Sequence, residues 1–401
     1  MQTTAFTALS PGHTVPTVNG AIAFVPHSAP RELRLEAPTV RLLERAMHQL
    51  GVLTGAAKRV VNPYLISSPL LRQEAILSSR IEGTIATPEQ LALEELGSDV
   101  EHADAKEVGN FARASQHALR AIGRGEPITG RLLLATHKIL MSEVRGDHER
   151  PGEYRDAQNF IGTSKDIHAA RFVPPPHTEI GSLMSDFESF VNSDTPALPD
   201  LVTNAIAHYQ FETIHPFRDG NGRIGRLLVT LLSVRDGLIP GPILPISSHL
   251  ERNKQAYADY LLGVSTGGAW QPWIAFFLEA VIHGAEEASG QVEGLMALRS
   301  AWQERFQSAR SSALLLKLLD HLFQRPAVTI GRVAKLLRVT PAAASANIKK
   351  LVEAGVLREI TGRTRNQVFL AQDILDFIGG KGARPLHETS SPESFRRGQS
   401  N

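Results

Sequence analysis

The sequence predicts a mainly helical fold with one small β-hairpin in its middle and a second near its C-terminus. Through most of the 401 residues, apolar side chains recur every three or four positions, a spacing typical of amphipathic helices. Two short runs with strand character flank a polar turn within 158–176, which predicts the first hairpin. Near the C-terminus, three helical segments precede a strand, a turn and another strand. These patterns favour a helical core followed by a small separate domain.

The N-terminal part begins with 37 residues rich in Thr, Pro, Gly and Ala, which are predicted to be irregular. Helices are predicted over 39–61, 69–82 and 87–97. The last of these opens with Thr87 to Gln90, a capping box with proline at the first helical position. The second ends at Gly83, a residue typical of a helix C-terminus. Further helices run to about residue 300, interrupted only by the hairpin.

Residues 215–226, HPFRDGNGRIGR, form a loop between two predicted helices, 201–211 and 223–234. A glycine-rich loop that ends at a helix N-terminus binds anions, because free N–H groups and the helix dipole face the ligand. Arg223 and Arg226 lie one turn apart on one face and can both reach the same phosphates.

The same loop carries two further groups with defined chemistry. Asp219 offers a hard oxygen ligand that suits Mg²⁺, and His215 titrates near neutrality and is the natural proton acceptor. Each residue alone is more often structural or solvated. Together they predict a site that holds nucleotide phosphates and Mg²⁺ beside a hydroxyl that must lose its proton.

The run is similar to the signature of the Fic family, His-Pro-Phe-x-Asp/Glu-Gly-Asn-Gly-Arg-x-x-Arg, at every fixed position. The resemblance implies a Fic-type helical core and the transfer of AMP from ATP to a Ser, Thr or Tyr hydroxyl of a target protein, or of the enzyme itself. It implies that His215 is the catalytic base and that Asp219 binds Mg²⁺. The remaining motif residues would hold the phosphates: Gly220, Asn221, Gly222, Arg223, Ile224, Gly225 and Arg226. Two alternatives stay open, namely removal of AMP at the same site and a DNA-binding regulator whose core senses nucleotide.

A second motif, Ser78-Ser79-Arg80-Ile81-Glu82-Gly83, ends the helix predicted over 69–82. On its own it is an ordinary helix end with an exposed glutamate. It resembles the inhibitory motif of the family, Ser/Thr-x-x-x-Glu-Gly/Asn, and Ser78 and Glu82 share a helix face. The resemblance implies that Glu82 reaches into the nucleotide site, pairs with Arg226 and competes with a phosphate for the guanidinium. Ser78, Glu82 and Gly83 are therefore expected to keep the enzyme autoinhibited.

Two further regions carry weaker parts of the resemblance. The hairpin within 158–176 resembles the flap of the family, which aligns the target segment by main-chain pairing; an ordinary surface hairpin is the alternative. Beyond the motif, the resemblance implies an adenine and ribose pocket lined by Arg252, Asn253 and Tyr257. Tyr257-Ala258 stands where many relatives have two adjacent tyrosines.

The C-terminal segments resemble a winged helix, with helices predicted over 312–323, 329–337 and 340–354 and strands at 356–360 and 367–370. Residues 329–367 contain eight lysines and arginines against two glutamates, a net charge of +6 within a chain of +1. Such a basic patch suits the phosphate backbone of DNA. A protein-contact or dimerisation module is the alternative, because the presumed recognition helix, 342–347, offers few side chains that read bases.

The predicted domains are an N-terminal helical region with the inhibitory helix (1–110), a catalytic core (111–300), a winged helix (301–380) and a disordered tail (381–401). The absence of cysteine excludes disulfides and thiol chemistry. Without a signal peptide or a membrane-spanning apolar run, a cytoplasmic protein is expected. A near-neutral charge excludes a global attraction to nucleic acid or membrane. The expected partner is a target protein, with a DNA contact and a homodimer left open.

Overall fold

The computed structural model describes residues 6–97, 103–144, 150–163, 166–193, 197–307 and 313–380. Within these ranges the chain forms fifteen α-helices and five short strands, so the predicted mainly helical fold is confirmed. The predicted disordered tail, 381–401, lies outside the described residues. In the described part of the chain, no helix combines the length and the apolar character needed to cross a membrane.

The N-terminal segment is not irregular throughout, so that prediction is wrong for 12–26. Strands β1 (Gly12–Pro16) and β2 (Ile22–Pro26) pair antiparallel, with Pro16 opposite Ile22. The turn contains Asn19-Gly20, a pair that favours hairpins, and Gly20 has a φ of 74°. The hairpin was missed because β2 is buried along almost its whole length and shows no polar alternation.

Five helices follow: α1 (Ala37–Lys58), α2 (Tyr64–Ile81), α3 (Pro88–Leu96), α4 (Ala103–Gly123) and α5 (Gly130–Leu140). Helix α2 begins five residues before the predicted start, with Pro69 inside it, and ends one residue before Glu82. The predicted capping box of α3 is present: the Thr87 hydroxyl accepts from the Gln90 N–H, and the Gln90 side chain accepts from the Thr87 N–H.

The central helices are α6 (Ile180–Val191), α7 (Asp200–Ile214), α8 (Asn221–Arg235), α9 (Ser247–Arg252), α10 (Lys254–Gly267) and α11 (Trp270–Gln307). Helices α7 and α8 pack against each other, and the motif loop connects them. The buried Trp273 on α11 donates from Nε1 to the Ala205 carbonyl at 2.9 Å, which joins α11 to α7. The predicted domain boundaries at 110 and 300 fall inside α4 and α11, so continuous helices link the regions.

The two runs of the middle hairpin meet at one antiparallel pair, Ile161 and Phe172. Each of these residues donates its N–H to the carbonyl of the other, at 2.8 and 3.1 Å. The flap also contacts β2, because the Phe24 N–H donates to the Val173 carbonyl at 3.0 Å. This hydrogen bond joins the middle hairpin to the N-terminal hairpin.

The C-terminal elements are α12 (Ala313–Gln324), β3 (Ala327–Thr329), α13 (Ile330–Leu337), α14 (Pro341–Glu353), β4 (Arg358–Glu359), β5 (Val368–Leu370) and α15 (Gln372–Ile378). The three strands pair in the order β3-β5-β4, all antiparallel, and with the three preceding helices they form the predicted winged helix.

The winged helix rests directly on α2 and α3. Arg72 of α2 donates to the Gln324 carbonyl of α12 at 2.6 Å and pairs with Glu95 at 2.8 Å. Arg332 of α13 donates to the Leu96 carbonyl at 2.6 Å. The helix that ends at Glu82 is thus part of the contact with the winged helix.

Candidate active site

The motif loop leaves α7 and enters α8 through two left-handed residues. His215 caps α7 with a φ of 50°, a conformation that histidine tolerates better than most residues, and Gly220 caps the start of α8 with a φ of 79°. The buried Asn221 side chain closes the loop, because it accepts from the Phe217 N–H and donates to the Phe217 carbonyl, both at 2.8 Å. Asn221 therefore shapes the loop from inside.

Arg155 holds the backbone of the motif loop by hydrogen bonds. The sequence did not identify it as a residue of the site. It is buried, and its Nε donates to the His215 carbonyl at 2.9 Å. Its backbone N–H donates to the Pro216 carbonyl at 2.9 Å, and Nη2 donates to the Pro175 carbonyl at 2.6 Å. Burial lowers the pKa of Arg155 to about 10, so the side chain stays charged and ties the flap to the loop.

His137 is a second support that sequence reasoning missed. Its ring stacks on Phe217 with 3.8 Å between the ring centroids. Nδ1 accepts from the Gly152 N–H at 3.0 Å, so the proton lies on Nε2, which donates to the Asp219 carbonyl at 2.9 Å. Burial lowers the pKa of His137 to about 4, which keeps this ring neutral.

His215 itself is set up as a proton acceptor. Nδ1 donates to the Glu212 carbonyl at 3.2 Å, which leaves the Nε2 lone pair without a hydrogen-bond partner among the described residues. Burial lowers the pKa of His215 to about 4, and the charge of Arg155 acts in the same direction. The imidazole is therefore neutral at physiological pH and has a free acceptor nitrogen.

Arg226 is fully buried and is held by the end of α2. Its Nε donates to the Ser78 hydroxyl at 2.8 Å, and Nη2 donates to the Ser78 carbonyl at 2.9 Å and to the Glu82 carboxylate at 2.7 Å. Burial alone would raise the pKa of Glu82, but the charge and hydrogen bond of Arg226 outweigh it and the pKa is lowered. The structure thus brings the two predicted motifs together at one guanidinium.

Gly222 makes this approach sterically feasible. A Cβ added at Gly222 would collide with the Glu82 carboxylate and with the Arg226 guanidinium. Gly225 fills a similar role one turn later, where a Cβ would collide with the Glu212 carboxylate. A side chain at either glycine would therefore force the neighbouring carboxylate to move from its present position.

Arg223 contacts other partners than Arg226, although the sequence predicts that both reach the same phosphates. Its guanidinium lies 3.5 Å from the Glu107 carboxylate and 3.6 Å from that of Asp219. The Asp219 side chain is 52 % exposed and also accepts from the Gly220 N–H at 2.6 Å. The buried Arg223 guanidinium thus lies near two carboxylates, the buried Glu107 and the half-exposed Asp219.

A cavity of about 280 Å³ lies between the loop, the flap, α2 and α10. Its polar lining consists mainly of Glu82, Glu212, His215, Arg226, Lys254 and Tyr257, and Ile161 and Phe172 of the flap close one side. Neither Glu212 nor Lys254 was identified from the sequence. The Glu212 Oε1 atom has no partner among the described residues, and burial raises the pKa of this carboxyl to about 7.

Of the three residues expected around adenine, only Tyr257 lines this cavity. Arg252 lies 3.5 Å from Glu287 and lines another cavity, of about 430 Å³. Asn253 donates to the His249 carbonyl of its own helix at 2.9 Å. The break between α9 and α10 at Asn253 separates these positions, which a sequence read as one continuous segment does not reveal.

The Tyr257 hydroxyl is oriented by His208, a buried residue of α7. The sequence did not identify His208 as a site residue, because a single histidine in an apolar helix carries no functional signal. Nδ1 of His208 donates to the Gly225 carbonyl at 2.9 Å, so Nε2 accepts from the Tyr257 hydroxyl at 2.6 Å. Burial lowers the pKa of His208 to about 4. A neutral histidine thus connects Tyr257 to the first turns of α8.

Three regions of the chain match known protein families. Residues 40–120 match the Fic/DOC family N-terminal domain, residues 127–233 the Fic/DOC family domain, and residues 315–369 an HTH DNA binding domain. The chain is 32 % identical over 159 residues to the protein adenylyltransferase Fic of Culex quinquefasciatus and 33 % identical over 159 residues to that of Aedes aegypti. These matches cover 39 % of this chain and 28 % of each relative, so the chain spans little more than a quarter of their length.

Two solved structures share the fold. A Fic family protein from Desulfovibrio desulfuricans G20 aligns with a TM-score of 0.55 and 22 % identity over 84 % of this chain and 97 % of that one. A Fic domain containing signaling protein from Bacteroides thetaiotaomicron aligns with a TM-score of 0.50 and 19 % identity over 64 % of this chain and 97 % of that one. The first alignment extends well beyond the motif loop.

Proposed function

We propose that this chain, which matches the Fic/DOC family N-terminal domain over residues 40–120 and the Fic/DOC family domain over residues 127–233, is an autoinhibited protein adenylyltransferase. It transfers AMP from ATP to a Ser, Thr or Tyr hydroxyl of a target protein and of itself. The observation that carries the proposal is the shared cavity of His215, Gly222 and Arg226, in which a neutral imidazole lies beside an anion-binding helix start.

The proposed reaction uses few groups. Nε2 of His215 takes the proton of the target hydroxyl, whose oxygen attacks the α-phosphorus of ATP. The bond from that phosphorus to the oxygen bridging to the β-phosphate breaks, and pyrophosphate leaves with the electron pair. Such transfers depend mainly on positioning and on charge neutralisation, which the loop N–H groups and Arg226 provide.

Asp219 fits the role of a Mg²⁺ ligand. Its carboxylate is half exposed at the loop, and the described residues contain no cluster of three or more acidic, histidine or cysteine side chains that could hold a metal alone. Mg²⁺ is commonly held by one or two carboxylates together with phosphates and water, which is the donor set available here. The ion would supply positive charge to the phosphates.

Inhibition follows from competition for Arg226. The Glu82 carboxylate occupies the guanidinium at 2.7 Å, so a phosphate must displace it to bind there. Glu82 is the carboxylate that forms an ion pair with Arg226 among the described residues, and a buried guanidinium that lost this partner would be strongly disfavoured, so the exchange of one anion for another is the accessible route.

The test is incubation of the full chain with labelled ATP and Mg²⁺. Glu82→Gly removes the competing carboxylate, and we expect self-labelling to rise by about tenfold or more, because a charge-assisted hydrogen bond contributes roughly 1.5–3 kcal/mol. Glu126→Gly is the matched control, since Glu126 is an exposed glutamate just beyond the end of α4. Labelling by E82G no faster than by the wild type would remove the inhibitory role of Glu82.

A second activity, DNA binding, is favoured by one observation on the winged helix. Five basic residues of this domain are exposed, and their side chains form no hydrogen bond or ion pair with the described residues: Lys335, Arg338, Lys350, Arg363 and Arg365. We propose that this surface contacts the phosphate backbone of DNA, which needs unpaired cations rather than specific base-reading side chains.

A further inference from the structure

We propose that Lys254 is a phosphate-binding residue of the nucleotide site and holds the nucleotide and the end of α2 at the same time. This inference deepens the proposed function, since it takes the cavity beside His215 as the nucleotide site. It adds a cation that the sequence did not identify to the predicted phosphate-binding arginines, whereas Arg252, which was expected near adenine and ribose, lines another cavity.

The position of Lys254 carries the first step. It is the first residue of α10 and lines the cavity together with Gly222, His215 and Arg226. Its Nζ donates a hydrogen bond to the carbonyl of Ile81, the last residue of α2. The last carbonyls of a helix have no partner within the helix, so Lys254 caps α2 directly beside Glu82.

The charge balance of the cavity carries the second step. Arg226 is paired with Glu82, and Arg171 is paired with Asp259 of α10. Lys254 forms no ion pair with any residue that the structure describes, and its one partner is an uncharged carbonyl. Among the cations that line the cavity, its charge is the one left without a carboxylate, so an anion gains most by binding there.

The donor count carries the third step. A lysine ammonium has three N–H donors, and the Ile81 carbonyl uses one of them. Two donors remain for phosphate oxygens, and lysine binds phosphate as a compact point charge on a flexible stem. Lys254 can therefore bind the nucleotide without releasing α2, which couples occupancy of the site to the segment that carries Glu82.

The experiment measures nucleotide binding by calorimetry in the full chain carrying E82G, so that the competing carboxylate is absent. ATP and adenosine are compared for K254M, K254R and R252M in that background, and thermal unfolding checks that each variant is folded. We expect K254M to weaken ATP binding about tenfold and to leave adenosine binding unchanged, because adenosine has no phosphate. K254R should retain most of the ATP affinity, and R252M should lose far less than K254M.

Three results would overturn the inference: unchanged ATP affinity in K254M, equal losses for ATP and adenosine, or a loss in R252M as large as in K254M. Failure of the proposed function has a different signature, because E82G would then bind ATP but transfer no AMP. Binding and transfer are measured separately, so the two failures are distinguishable.

Discussion

The motif loop and the winged helix both carry several basic side chains, but the surroundings of these charges are opposite in the two regions. At the loop, the buried Arg226 is paired with Glu82, and the buried Arg223 lies near Glu107. On the winged helix, Arg363 and Arg365 are exposed and have no partner in the described part of the chain. A buried cation needs an anionic or hydrogen-bonding partner, because it has lost its hydration. An exposed cation keeps its water, and dissolved salt screens its charge.

The difference teaches how each region can respond to a polyanion. Under the proposed function, a phosphate would have to displace the Glu82 carboxylate to bind Arg226, so ligand and inhibitor would compete for one site. A nucleic acid would meet exposed cations on the winged helix that have no carboxylate to lose, and released counterions would favour the association. The proposal therefore assigns regulation to the loop and attachment to the winged helix.

Helix α2 connects the two regions physically. Its Arg72 contacts Gln324 of the winged helix, and its last turn carries Ser78 on the side of Arg226. The same helix also bears Ile81, which Lys254 caps. Any displacement of α2 therefore affects both the docking of the winged helix and the pairing of the guanidinium.

The largest change in activity is expected when His215 is replaced, and this variant tests whether the buried motif loop is the site of the reaction. In the E82G background, His215→Ala should reduce AMP transfer by about 10²–10⁴-fold, because the hydroxyl loses its proton acceptor. Self-labelling with labelled ATP measures this loss. His48→Ala, an exposed histidine of α1, is the control and should label like the parent. Labelling that survives in H215A would show that the buried loop does not supply the base.

A smaller effect is expected on the winged helix. Arg363→Gln with Arg365→Gln should weaken binding to duplex DNA about tenfold at low salt and reduce the slope of log affinity against log salt by roughly two. Gel-shift titrations at several salt concentrations measure both quantities. The control is Arg41→Gln with Arg45→Gln, two exposed arginines of α1. Absence of any shift at low salt, or an equal loss in the control, would assign the exposed charges to another role.

The sequence predicts local features of this molecule well. The capping box at Thr87, the turn residues of the loop and the Glu82-Gly83 helix end depend on neighbours within a few positions, so spacing alone identifies them. The supports of the loop are different. Arg155 reaches a carbonyl 60 positions away, and His137 reaches one 82 positions away.

These long-range contacts depend on how helices pack, which composition and periodicity do not determine. Lys254 was missed for a related reason. The helix is interrupted at Asn253, between α9 and α10. As a result, Arg252 lines one cavity and Lys254 lines another. The resemblance had implied instead that Arg252, Asn253 and Tyr257 share one pocket.

The smallest effect is expected from removing one hydrogen bond to the buried Arg226 guanidinium. Ser78 and Ser79, which are adjacent on α2, allow this comparison. The Ser78 hydroxyl accepts from Nε of Arg226 at 2.8 Å, whereas the equally buried Ser79 hydroxyl has no partner among the described residues. Ser78→Ala should raise self-labelling of the otherwise wild-type chain by about two- to fivefold, because α2 keeps the Glu82 pair and the Ser78 carbonyl but loses one bond to the guanidinium. Ser79→Ala removes the same atom without a bond and should leave labelling unchanged. If self-labelling rises equally in both variants, looser packing of α2 rather than the lost hydrogen bond weakens inhibition. The hydrogen bond from Arg226 to the Ser78 hydroxyl would then not contribute to inhibition.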